Sequence, residues 1–245
     1  MTDTPSFALD IDDDDTPREV PPPLPIGATI GILGGGQLGR MLSVAAARLG
    51  FTTHIFEPGA NPPAGHVADR VTTASYDDGA ALTAFAQSVD VITYEFENIP
   101  ADALDILEDL CPVRPNREAL RFSQDRLVEK GFLEALGLTT APYAAVYSAL
   151  DLAAALEAVG APSILKTRRL GYDGKGQARI NLHEEAPAAP EAMAGADAIL
   201  EGFVDFEFEI SVIAARGLDG AVVCYDPGRN VHRTGILATT TVPAG

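Results

Sequence analysis

Residues Ile164 to Gln177 read ILKTRRLGYDGKGQ, and the rest of the chain is organised around them. A short apolar run, Pro162 to Leu165, has β-strand character and delivers Lys166 at its end. Gly171, Gly174 and Gly176 follow, and Gln177 to Ile180 reads as a returning strand. Glycines let a backbone approach a ligand closely and turn its N–H groups toward it, which suits phosphate oxygens. Arg168, Arg169 and Lys175 concentrate positive charge here in a chain that is otherwise acidic. The spacing is neither that of a Walker A loop nor that of a dinucleotide-binding turn. It describes a phosphate-covering loop between two antiparallel strands, or else a Gly-rich hairpin whose cations are simply solvated.

Composition narrows the setting. The chain has 245 residues, 47% of them apolar, enough for one large domain or two smaller ones. No run approaches the ~18 apolar residues of a membrane span, so no membrane partner is expected. The opening MTDTPSFALDIDDDD has neither the basic nor the apolar region of a secretory signal. Cys111 and Cys224 show no metal spacing, and a reduced cytoplasmic protein is the simplest account. A net charge of −18 opposes nucleic-acid binding along a broad surface, while leaving room for a local small-anion site.

Before the glycine loop the chain has α/β grammar. Residues 1–27 combine an acidic cluster with PPPLP at Pro21 to Pro25, and are expected to form a disordered tail or a docking peptide. Ala28 to Leu33 reads as a buried strand, followed by Gly34 to Gly39 and a helical pattern through Leu38, Met41, Leu42, Ala45 and Leu49 that Gly50 ends. Thr52 to Phe56 is a second strand with Glu57 at its tip. Gly34, Gly36, Gly39 and this acid would, alone, indicate NAD, although any tight strand-to-helix turn near an anion can need those glycines. Asp77 to Val89 is helical. The parallel strand Asp90 to Tyr94 delivers Glu95, Phe96, Glu97 and Asn98 to the carboxyl edge of a sheet, where open α/β sheets bind ligands. A turn cluster ahead of Pro100 is the alternative. Pro112 to Arg114 reads as a last short strand, and Gln124 to Leu136 as a helix closed by Gly137.

From Leu138 the pattern changes. Ala144 to Tyr147 is a strand, Ser148 and Asp151 form a capping box for a helix over Leu152 to Val159, and Gly160 stops it. Beyond the glycine loop and a connection at Glu184 to Gly195, Ala198 to Val204 and Phe206 to Ala215 read as strands, with a turn at Leu218 to Gly220. Phe206, Phe208, Ile210 and Val212 alternate with Glu207, Glu209 and Ser211, which predicts one buried face. His54, His66 and His183 have no paired ligand spacing.

Six motifs, in order, carry a resemblance. They are GGGQLGRM (Gly34 to Met41), YEFEN (Tyr94 to Asn98), QDRLVEK (Gln124 to Lys130), LKTRRLGYDGKGQ (Leu165 to Gln177), EGFVDFEFEIS (Glu201 to Ser211) and NVHRTGIL (Asn230 to Leu237). Together they resemble the 5-(carboxyamino)imidazole ribonucleotide synthase family, ATP-grasp enzymes of purine biosynthesis, over residues 28–243. An ATP-grasp glycinamide ribonucleotide formyltransferase is the nearest relative to exclude. A dehydrogenase or regulatory module with NAD at Gly34 to Gly39 and an interaction protein built on the acidic tail are alternatives of other classes.

The resemblance implies a disordered tail (1–27), a Rossmann-like pre-ATP-grasp domain with a parallel sheet (28–137), an ATP-grasp lid (138–201) and the start of the ATP-grasp α+β domain (202–245). It implies ATP and Mg²⁺ as cofactors, aminoimidazole ribonucleotide and bicarbonate as substrates, and a homodimer. Arg126 and Lys166 match nucleotide-contacting positions, with Lys166 on a phosphate and Lys175 a second catalytic cation. Gly171, Tyr172, Asp173, Gly174, Lys175, Gly176 and Gln177 match the loop over the phosphates. Glu201, Gly202, Phe203 and Val204 match the adenine-contacting linker, Glu209 the acid on the ribose hydroxyls, and His232 a further nucleotide residue. Gly36, Gln37, Leu38, Glu95, Glu97 and Asn98 would serve the imidazole ribonucleotide. The family's chain continues past the position of Gly245 and there carries its Mg²⁺ ligands, so none is expected here and this chain alone is expected to be inactive.

Overall fold

The computed structural model describes residues 20–171, 175–182, 195–233 and 235–245. Tyr172, Asp173, Gly174, His183, most of the connection at 184–195 and residues 1–19 lie outside them. Two compact units divide the chain, Pro22–Gln124 and Asp125 onward, so the helix expected from Gln124 goes with the second unit.

The first unit runs β1 (Thr29–Leu33), α1 (Gln37–Arg48), β2 (Thr52–Phe56), a 3₁₀ turn (Pro63–His66), β3 (Arg70–Thr72), α2 (Gly79–Ala86), β4 (Val91–Tyr94), α3 (Ala101–Glu108) and α4 (Arg117–Ser123). Its four strands form a parallel sheet in the order β3-β2-β1-β4. The run TIGIL lies between two neighbours, which is why it is nearly continuous in apolar residues. Phe56, Phe85, Ile92, Leu104, Leu107 and Val113 fill the core beside it. The expected strand at Pro112 to Arg114 reduces to a single parallel bridge between Val113 and Ile92.

Helix α1 buries the side its sequence advertises least. Gly39, Ser43 and Ala46 are its buried positions, whereas Leu38, Met41, Leu42 and Leu49 are exposed. The strand-to-helix turn draws the helix in so closely that a Cβ on Gly39 would stand 2.6 Å from the carbonyl oxygen of Gly34. Only small residues fit that side.

The second unit runs α5 (Arg126–Ala135), β5 (Tyr143–Val146), α6 (Ala149–Val159), β6 (Ser163–Thr167), β7 (Gln177–Ile180) and β8 (Ala198–Gly202). It continues through β9 (Glu209–Ser211), β10 (Ala214–Arg216), β11 (Val222–Cys224), β12 (Gly228–Arg233) and β13 (Ile236–Thr241). An antiparallel sheet of order β5-β8-β6-β7 carries the glycine loop between β6 and β7, as the sequence predicts. Alternation gives this sheet two chemistries. Leu165, Ala198 and Leu200 face α6 with Val146, Leu152 and Leu156 in one core. Register places Ile164, Lys166, Ile199, Glu201, Tyr143 and Gln177 on the other face. The Ser148 hydroxyl accepts from the Asp151 amide and caps α6.

The last five strands depart from expectation. The single strand read at Phe206 to Ala215 is split into β9 and β10, which belong to different sheets, β13-β12-β9 and β10-β11. Phe206, Phe208, Ile210 and Val212 are all exposed rather than buried. These sheets have two and three strands, and their apolar side chains remain in contact with solvent, so alternation alone did not secure burial.

Candidate functional site

Helix α5 opens the site. Asp125 caps it by accepting from the Leu127 amide, and the same carboxylate receives the Arg168 guanidinium on both oxygens, at 3.0 and 2.8 Å. Burial pushes the Asp125 carboxyl up, but the bonds and charge of Arg168 outweigh it and hold the group below its ordinary value. Arg126, Lys130 and Glu134 then recur at four-residue spacing along one side of the helix. Arg126 donates to the carbonyls of Thr167 (3.0 Å) and Gly171 (3.0 Å), clamping the glycine loop at its start. Within that clamp Leu170 takes φ +62, an unusual conformation for a leucine that the flanking bonds enforce. Glu134 accepts from the Tyr143 hydroxyl, whose pKa burial and this carboxylate push up to about 12.

Lys166 projects from β6 and donates to Glu201 on β8 at 2.8 Å; Lys130 approaches the same oxygen at 3.9 Å. Lys166 pairs with Ile199 and Ile164 with Glu201, so the ion pair is diagonal across two strands and needs no backbone adjustment. Gln177 stands directly opposite Lys166. Gly176 has φ +66, and a Cβ there would lie 2.7 Å from the Thr167 hydroxyl, so this position admits only glycine without rearrangement. Lys175 occupies an exposed position in the same turn. The Gly202 and Phe203 amides donate to the carbonyls of Pro142 (2.8 Å) and Pro162 (3.0 Å), and the Phe203 ring stacks under Arg179 at 4.3 Å. Val204 is exposed. Glu209 accepts from His232 Nδ1 at 2.7 Å across β9 and β12, forming a further polar pair of this unit. Tyr172, Asp173 and Gly174, candidate loop residues, fall outside the described residues.

In the first unit the glycine turn is filled from within. The Gly36 amide donates to Glu95 at 2.8 Å, and the Gly35 amide to Glu57 at 2.7 Å. The other Glu57 oxygen accepts from Gly59 at 2.8 Å. Two carboxylates thus occupy the N–H groups that a pyrophosphate would need, and Glu57 has both oxygens on backbone rather than free for a ribose. The turn has the glycine spacing of a dinucleotide site with anions of its own in place. Burial, then Glu57 and Glu95, drive the Tyr76 phenol well above its ordinary pKa. Gln37 and Leu38 are exposed at the start of α1, Asn98 is half-buried, and the Glu97 carbonyl accepts from the Gln124 side chain at 2.6 Å. Among the described residues no three His, Cys, Asp or Glu side chains cluster closely enough to hold a metal ion.

Lys130 and Asp125 are the site members that motif matching alone did not single out. Their signal lay in QDRLVEK, where an N-cap acid is followed by cations one helical turn apart.

Comparison with known proteins agrees with this geometry. Residues 27–124 match the ribonucleotide synthetase pre-ATP-grasp domain, and residues 131–245 match the ATP-grasp domain. An N5-carboxyaminoimidazole ribonucleotide synthase from Brucella melitensis is 56% identical over 220 residues, covering 89% of this chain and 61% of that protein. A Staphylococcus aureus N5-carboxyaminoimidazole synthetase solved with ADP superposes with a TM-score of 0.86 at 38% identity, over 90% of this chain and 59% of that one. An Aspergillus clavatus N5-carboxyaminoimidazole synthase solved with ADP and 5-aminoimidazole ribonucleotide gives 0.78 at 27%, over 86% and 56%. The fold and the site therefore define a pre-ATP-grasp domain of the ribonucleotide-synthetase type joined to ATP-grasp elements. Within that class, the chain is similar to N5-carboxyaminoimidazole ribonucleotide synthases over about nine-tenths of its own length. It spans 61% of the length of its Brucella relative.

Proposed function

We propose that the protein works in ATP-dependent carboxylation of 5-aminoimidazole ribonucleotide by bicarbonate, through carboxyphosphate, giving N5-carboxyaminoimidazole ribonucleotide for purine biosynthesis. The observation that carries this reading is the Lys166–Glu201 pair on the polar face of an antiparallel sheet, beside the clamped glycine loop. A half-buried ammonium can neutralise a phosphate, and a neighbouring carboxylate can receive an adenine amino group. Phosphoryl transfer asks for positioning and charge neutralisation rather than covalent help, and Lys166 and Lys175 supply cations for it. Carboxyphosphate hydrolyses readily, which gives a loop over the site a water-excluding task. On this reading 138–201 is the lid and 202–245 the start of the ATP-grasp domain, with Arg126, Gly171 to Gln177, Glu201 to Val204, Glu209 and His232 on the nucleotide. Gly36 to Leu38, Glu95, Glu97 and Asn98 attend the ribonucleotide, and the Glu95 carboxylate, which meets the turn through one oxygen, suits a ligand that donates hydrogen bonds.

Magnesium keeps most of its waters and enters such sites with the phosphates, where it supplies further charge neutralisation. We further propose a cytoplasmic homodimer, which the motif resemblance implies.

The deciding experiment is calorimetric titration of Mg-ATP into this chain, with NADH as comparison ligand. Lys166→Ala should weaken ATP binding about tenfold or more, the scale of one charge-assisted hydrogen bond. Binding of NADH without ATP would move the ligand to the Gly34–Gly39 turn and overturn the reading.

A further inference from the structure

Lys130 has a geometry that its neighbours' roles do not explain. Glu201 Oε2 receives Lys166 at 2.8 Å and Lys130 at 3.9 Å, so two ammonium groups share one carboxylate oxygen. The carboxylate side chain is 12% exposed, Lys130 13% and Lys166 26%. Lys130 has a second contact besides Glu201 and is the less exposed of the two cations. Its Nζ lies 5.4 Å from the centre of the Tyr143 ring, within cation–π range, and Glu134 fixes that ring through the hydroxyl. Lys166 sits at the loop end of its strand and has the longer exposed reach.

These facts pose an electrostatic problem for any phosphate-bearing ligand. A phosphate competes with Glu201 for the Lys166 ammonium, and a nearly buried carboxylate whose cation is drawn off is costly. Resting on the nucleotide reading above, we propose that Lys130 is a positioning residue that retains Glu201 when the phosphates of a bound nucleotide draw Lys166 away. Glu201 passes from one lysine to the other without losing its countercharge. It therefore stays charged and oriented for the base, while Lys166 is released to the phosphates. Without Lys130, Glu201 competes with the phosphates for Lys166.

The proposal makes the effect of Lys130 conditional on Glu201, which a double-mutant cycle reads directly. Mg-ATP is titrated calorimetrically into the wild-type chain, Lys130→Gln, Glu201→Gln and the double variant, with circular dichroism confirming that each is folded. Lys130→Gln should weaken ATP about tenfold in the wild-type background, the scale of one lost charge-assisted contact. In the Glu201→Gln background, where nothing competes for Lys166, the same substitution should change affinity less than twofold. Lys130→Arg should restore most of the loss. Equal losses in both backgrounds would mean that Lys130 touches the phosphates or merely supports the fold, and would overturn the proposal while leaving the nucleotide reading intact. No loss in either background overturns it as well. Failure of the wild-type chain to bind ATP would instead remove the nucleotide reading and this inference with it.

Discussion

At the residue scale, His54 shows how burial converts one side chain into a pH sensor of stability. Its ring lies in the core of the first unit with Nδ1 2.9 Å from the Ser88 hydroxyl and Nε2 2.8 Å from the Thr72 hydroxyl. Phe85 meets it edge-on at 4.9 Å. The Ser88 hydroxyl donates to the Phe85 carbonyl at 2.7 Å, so it accepts from Nδ1–H while Thr72 donates to Nε2; the neutral ring is satisfied in that tautomer, whereas a charged ring would have to be desolvated without a carboxylate partner. Burial first, and the charge of Arg70 second, lower its pKa to about 4. Below about pH 6.5 the unfolded chain therefore takes up a proton that the folded chain refuses until about pH 4, and stability falls across that window. The expected loss is at most about 3 kcal/mol from this group. Urea unfolding of the wild type and of His54→Gln between pH 7 and 4 checks it. The variant should be less stable at pH 7 but flatter with pH, and parallel profiles would show that His54 does not titrate in this way.

At the element scale, α5 is held in place chiefly by Asp125, which serves the helix and the site at once. It caps the helix at Leu127, binds Arg168 through two hydrogen bonds and draws Arg169 to 3.5 Å. Asp125→Ala should cost about 2–3 kcal/mol in the second unit, since it removes a cap and leaves a largely buried guanidinium with only Asp197 at 3.8 Å and the Tyr147 hydroxyl at 3.3 Å. Thermal unfolding followed by circular dichroism measures this, and a loss under about 1 kcal/mol would mean that water replaces the carboxylate. The role was only partly legible in the chain. QDRLVEK shows the cap and the helical cation spacing, but Arg168 lies far along the sequence, and no local pattern pairs it with Asp125. Elements with strong periodicity or glycine stops were readable for the same local reasons: β1, α1, β6 and α6 each carry their own boundary signals. What escaped was set by tertiary contact. The small-residue side of α1 turned inward because of the close Gly34–Gly39 turn, against its apolar pattern. The alternation at Phe206 to Val212 described a face that these small sheets do not bury. Glu57 looked like a ribose ligand at a strand tip, yet its two oxygens are taken by Gly35 and Gly59.

At the scale of the whole molecule, two anion-seeking glycine segments exist in one acidic chain, and they differ in what fills them. The turn in the first unit already holds two carboxylates, while the loop in the second is bordered by Arg126, Lys130 and Lys166. With a net charge of −18, long-range attraction cannot bring a polyphosphate to the surface, so binding has to come from this local cluster. The two segments should therefore respond to different ligands. Amide hydrogen exchange should show Mg-ATP protecting residues 164–171 and 198–204, where the strands and the clamped loop start carry Lys166 and Glu201. The turn at Gly34 to Gly39 should change little with ATP, because its donors are already bonded. Aminoimidazole ribonucleotide should do the reverse, slowing exchange at 34–39 and 95–98 if its amine or a hydroxyl is received by Glu95. If ATP instead protected Gly34 to Gly39 and left 164–171 unchanged, the phosphates would have displaced Glu57 and Glu95, and the assignment of the two glycine segments would have to be exchanged.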